Sequence, residues 1–87
     1  LADLKAMMMG WSDRNPLYAW RSSNGLSRNA VAALVGSSLN SVINWERGGS
    51  IPTDEKIEAI ARAMNKNSGV LRREWDEWLQ EVYERTE

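Results

Sequence analysis

Residues 37–49 read SSLNSVINWERGG. Val42 and Trp45 stand at i and i+3, on one helical face, and Gly48 and Gly49 stop the helix. Ser38 is the expected N-cap, with Ser37 as the alternative. The opposite face, which water would ordinarily claim, carries Leu39, Asn40, Ile43 and Asn44. Just upstream, RNAVAALVG at residues 28–36 reads as a second short helix, capped by Ser27 and ended by Gly36. Val31, Leu34 and Val35 are expected to face its core, and Ala32 and Ala33 are small enough for another helix to come close. Only a tight GSS turn separates the two helices.

The same signals recur on both sides. Asn15 can cap a helix that has Pro16 at its first position, where a missing N–H costs nothing. That helix is PLYAWRSS, with Leu17 and Trp20 inward, and Asn24-Gly25 ends it. Downstream of Pro52, Thr53 caps DEKIEAIARAM, with Asp54 and Glu55 in the first turn, where the helix dipole favours acids. Ile57, Ile60, Ala61 and Met64 form an i, i+3, i+4, i+7 stripe. After the NKNSG break, VLRREWDEWLQEVYERTE places Leu71, Trp75, Trp78, Leu79 and Val82 on one face. No stretch reads as a strand. The fold class is all-α, a compact bundle of five helices, or six with a short one in residues 1–14. The expected organisation is an N-terminal extension over 1–14, a domain over 15–67 and an amphipathic acidic helix over 68–87. In the extension, Met7, Met8 and Met9 read as core filling.

Bulk composition narrows the chemistry. The chain has 87 residues, enough for one small domain, and contains neither cysteine nor histidine. Disulfides and thiolate metal sites are excluded, and so are the commonest general base and the imidazole metal ligand. No glycine-rich phosphate loop or metal-ligand spacing is present. The acids near 54–58 and 76–81 read as helix-start and surface groups. No enzyme, cofactor or metal is therefore expected. No apolar run approaches a membrane span, so the expected setting is cytoplasmic. Net charge is -1, but it is unevenly spread. Residues 1–70 hold eight Lys/Arg against six Asp/Glu, and residues 71–87 hold three against six. An acidic tail thus masks a weakly basic body.

The two helices about Gly36 have the spacing of a helix-turn-helix, whose second helix can enter a DNA major groove. Residues 17–64 resemble the Cro/repressor-type (XRE-like) helix-turn-helix domain, which is lambda-repressor-like in fold. The resemblance rests on Arg21, Leu26-Ser27, Val31-Ala32, Gly36, Val42 through Trp45-Glu46-Arg47-Gly48, and Pro52, all in register. It implies an ion pair between Arg21 and Glu46. It implies base reading by Leu39, Asn40 and Asn44: asparagine suits the N6/N7 edge of adenine, and leucine suits a thymine methyl. It places Ser27, Arg28, Ser38, Ser41 and Arg47 at phosphates or the groove edge. Arg28 replaces a glutamine often found there. Gly49 and Ser50 stand where the family usually carries basic residues, and Leu39 stands where Lys or Arg is common.

The implied function is a sequence-specific DNA-binding regulator, a repressor on double-stranded DNA, acting as a homodimer. The last helix offers two readings. Leu71, Trp75, Trp78, Leu79 and Val82 either cover the body of their own chain or form a dimer or partner surface, and two half-sites on an operator favour the second. A protein-interaction module, docking a protein partner through that tryptophan-rich helix, is the alternative from another class.

Overall fold

The computed structural model describes residues 14–86, so the expected helix and methionine packing in the extension lie outside the described residues. Five helices follow one another: α1 (Pro16–Ser23), α2 (Arg28–Val35), α3 (Leu39–Arg47), α4 (Asp54–Met64) and α5 (Ser68–Thr86). No strand occurs among the described residues. The architecture is the compact all-α helix-turn-helix fold expected above.

Local chemistry sets each boundary. The side chain of Asn15 accepts from the Tyr18 amide at 3.0 Å and caps α1. Ser27, Ser38 and Thr53 do the same for α2, α3 and α4, accepting from Ala30, Ser41 and Lys56 amides at 3.1, 3.1 and 3.3 Å. Each such cap satisfies an amide that has no intrahelical partner. Ser38, rather than Ser37, is therefore the cap of α3. Asn67 accepts from the Val70 amide at 3.1 Å, so α5 begins two residues before the apolar pattern does. At the other ends, Gly36 (φ +68°) and Gly48 (φ +80°) adopt the left-handed conformation. Gly48 also lies against the last helix. A Cβ there would stand 3.4 Å from the Trp78 ring and 3.5 Å from Leu79, so α5 packs directly over the end of α3.

α2 packs on α3 and α4, α5 packs on α4 and α1, and one core fills the space between them. Leu17, Val31, Val42, Ile60 and Leu71 are completely buried at its centre. Trp20, Leu26, Ala59 and Met64 pack partly buried against it. One expected core residue is misplaced: Leu34 is 61% exposed. Successive helical residues turn by about 100°. The buried arc of α2 is set by Val31, Ala32 and Val35, and Leu34 falls outside it. Its companion Ala33 is exposed as well, so the close helix contact uses Ala32.

α5 corrects a larger expectation. Leu71, Trp75, Trp78, Leu79 and Val82 are not a dimer or partner surface: all five lie in the chain's own core, none more than 9% exposed. The 71, 75, 78, 82 spacing identifies a buried face but carries no information about which molecule buries it. Here the same chain does, because α5 lies across α4 and α1. The polar side of α5 holds the acids, with Asp76, Glu77 and Glu84 exposed. Arg72 of α5 reaches Asp54 of α4, Lys66 reaches Glu74, and Arg14 reaches Glu81 at 2.8 Å. These are exposed pairs, each worth at most about 1 kcal/mol. The tryptophans hold α5 in place.

Replacing Trp75 with alanine removes a large side chain that is 1% exposed and leaves a cavity. The expected cost is about 3–5 kcal/mol. Urea unfolding checks it, and as an intrachain loss it should be the same at every protein concentration.

Candidate nucleic-acid interface

α3 is two-sided by construction. At about 100° per residue, Val42, Trp45 and Glu46 occupy one arc of the helix, and all three are buried. Leu39, Asn40, Ile43, Asn44 and Arg47 occupy the facing arc, about 140° wide. Asn40, Asn44 and Arg47 are exposed, Leu39 is 38% exposed, and Ile43 is half-buried. Ser41 sits at the border between the arcs, half-buried, and its hydroxyl accepts a 3.0 Å hydrogen bond from Ser38 Oγ. The three side chains expected to read bases therefore share one outward face. Ser27 and Ser38 are exposed at the starts of α2 and α3, each using its hydroxyl as a cap.

Glu46 is the polar centre behind that face. Its side chain is fully buried, yet both carboxylate oxygens are occupied. Oε2 accepts from Arg21 Nε at 2.8 Å and Oε1 accepts from Arg21 Nη2 at 3.0 Å, a bidentate pair. Such a pair offsets the desolvation of a buried carboxylate and fixes geometry more than it adds net stability. Arg21 is itself tied down, donating through Nη1 to the Leu26 carbonyl at 3.1 Å and lying 4.9 Å from the Tyr18 ring centre. Its pKa is raised, first by the hydrogen bonds to Glu46, with burial opposing and the charges of Glu46 and Tyr18 adding. Folding raises this pKa, so the stabilisation is complete below the ordinary arginine value and fades only as pH climbs through the raised one. Arginine and glutamate thus join α1 to the last turn of α3, as the resemblance implied.

Three features of this framework had no sequence signal. Arg28 donates through Nε to Glu46 Oε1 at 3.0 Å, so Glu46 serves two arginines rather than one. Lys56 of α4 donates to the carbonyls of Gly36 and Val35 at 2.8 and 3.2 Å. It closes the carbonyl end of α2 and pins the turn between the two helices. Asn15 is fully buried, and besides capping α1 it donates through Nδ2 to the Trp45 carbonyl at 3.3 Å. A capping asparagine before proline is visible in sequence; its long-range bond to the end of α3 is not. The turn between α2 and α3 is therefore held from α4, and the end of α3 from α1.

Comparison with protein families supports the same assignment. The helix-turn-helix family model matches residues 17–71, more than half of the chain. The chain belongs to the XRE-like helix-turn-helix family. No curated protein and no solved structure matches it. In a helix-turn-helix domain of this family, α2 and α3 are the two helices of the motif, and the family is one of DNA-binding regulators. Among the described residues no helix is long and apolar enough to cross a membrane. No group of acids there is placed to hold a metal ion.

Arg21→Met leaves the buried Glu46 carboxylate with Arg28 alone. The expected loss is about 3 kcal/mol, at the low end for a broken buried pair because one cation remains. Thermal or urea unfolding of the variant measures it.

Proposed function

We propose that this helix-turn-helix domain is a transcriptional repressor that binds an operator sequence as a homodimer, with α3 in the major groove. The observation that carries the reading is the outward arc of α3. Leu39, Asn40 and Asn44 share it, opposite a face locked into the core by Val42 and Trp45. A helix buried on one side by large apolar groups and showing amides on the other suits base-edge recognition. Asn40 and Asn44 pair with adenine edges, and Leu39 packs on a thymine methyl. Ser27, Ser38, Ser41, Arg28 and Arg47 contact the backbone beside the groove. Bound at a promoter, the protein excludes the transcription machinery.

Two copies are proposed because one offers little charge. Arg28 and Arg47 are the cations on and beside this face, and Gly49 and Ser50 add none. Backbone contacts supply most of the affinity of such complexes, so a second copy on a second half-site compensates. Docking of a protein partner through the tryptophans of α5 is left without a surface, since Trp75 and Trp78 are in the core.

The test is selection of bound duplexes from a random library at two salt concentrations. A two-fold symmetric motif, bound less tightly as salt rises, supports the reading. No enrichment by a folded protein overturns it. On the selected duplex, Asn40→Ala with Asn44→Ala should weaken discrimination by about 1–3 kcal/mol for each bidentate bond to a base that is removed. Unchanged discrimination in a competition assay would reassign base reading to other residues.

A further inference from the structure

Charge at Glu46 does not balance. The bidentate bond from Arg21 already neutralises the carboxylate, and Arg21 is 13% exposed, so that pair is largely enclosed. Arg28 is a second cation on the same carboxylate. The cluster of two arginines and one glutamate therefore carries a surplus positive charge. It emerges at Arg28, whose side chain is 37% exposed. Arg28 is held through Nε alone, and its Nη1 and Nη2 make no bond to any described residue. A guanidinium is a rigid plane with donors on more than one edge. When one edge is fixed to Glu46, the other is aimed away from it. On α3, Glu46 borders the outward arc, about 20° from the direction of Leu39. The surplus cation, on the first residue of α2, is the exposed member of a cluster whose buried carboxylate stands in the last turn of α3.

We propose that Glu46 is a positioning residue for DNA binding: its Oε1 holds Arg28 by one edge so that the opposite edge is preset for a backbone phosphate. This deepens the operator-binding reading and rests on it. Glu46 then has two separate tasks, one through each arginine. Through Arg21 it joins α1 to α3. Through Arg28 it removes most of the rotamer freedom that an exposed arginine would otherwise lose on meeting phosphate. Lysine at this position has three donors on one rotatable ammonium rather than two fixed edges, so a bond to Glu46 does not aim the remaining donors at a phosphate.

The experiment compares wild type, Arg28→Gln and Arg28→Lys on the duplex selected above, measuring Kd across a salt series and Tm for each protein. Arg28→Gln should bind more weakly, with a log–log salt slope shallower by about 0.9 for each phosphate left without its arginine. Arg28→Lys keeps the charge and should still bind several-fold more weakly than wild type. Both variants should stay folded, because the Arg21–Glu46 pair remains. An unchanged slope in Arg28→Gln overturns the phosphate contact. Wild-type affinity in Arg28→Lys overturns the positioning role of Glu46 while leaving operator binding intact. Wild type that binds no duplex in a salt-dependent way defeats the operator reading itself, and this inference with it.

Discussion

A single buried carboxylate constrains the rest of this structure. Glu46 sits at the end of α3 with no exposure to water, a position that would be strongly unfavourable without partners. Arg21 supplies the main partner from α1, and Arg28 adds a second from α2. Three helices therefore meet at one charged group, and their relative placement follows from its hydrogen-bond geometry. Apolar packing alone tolerates small slides and rotations between helices. A bidentate arginine–carboxylate pair tolerates much less, because a short shift breaks both bonds while the charge stays buried.

The outward face of α3 is useful only if α3 is held still. Val42 and Trp45 anchor its middle, Glu46 its last turn, and Asn15 the Trp45 carbonyl. Lys56 fixes the turn that leads into it by bonding the Val35 and Gly36 carbonyls. Trp78 and Leu79 lie against Gly48, where it ends. Every element other than α3 contributes a contact to α3 or to the turn before it. A helix of nine residues would be marginal alone; here its conformation is imposed from outside. The amides on its free side are consequently displayed from a rigid support, the condition under which hydrogen bonds discriminate between bases.

α5 illustrates a different division of labour. Its apolar seam completes the core, and Asp76, Glu77 and Glu84 are turned outward. The cations beside α3 and the acids of α5 then belong to different elements. The low net charge of the chain is thus a sum over unlike elements and describes none of them singly.

Much of this was legible in the sequence because it is local. Caps at Asn15, Ser27, Ser38 and Thr53, left-handed glycines at 36 and 48, and apolar spacing along 57–64 and 71–82 each depend on residues within a few positions of one another. They determined the five described helices and, apart from the start of α5, their limits, and the register of residue types about Gly36 pointed to the motif. The outward placement of Leu39, Asn40 and Asn44 was also readable, since the buried side of α3 announces itself through Val42 and Trp45. Tertiary structure alone decided the rest. Periodicity says that a face is buried but not by what, so only packing could take Trp75 and Trp78 from a supposed partner surface into the core. The width of a buried arc depends on neighbouring helices, which is why Leu34 is exposed. The bonds of Lys56, Asn15 and Arg28 span 18 to 30 residues, and no local pattern encodes a donor meeting an acceptor at that separation. Sequence determined the pieces because their physics is short-ranged; the fold decided their partners because contacts between distant residues exist only once the pieces are assembled.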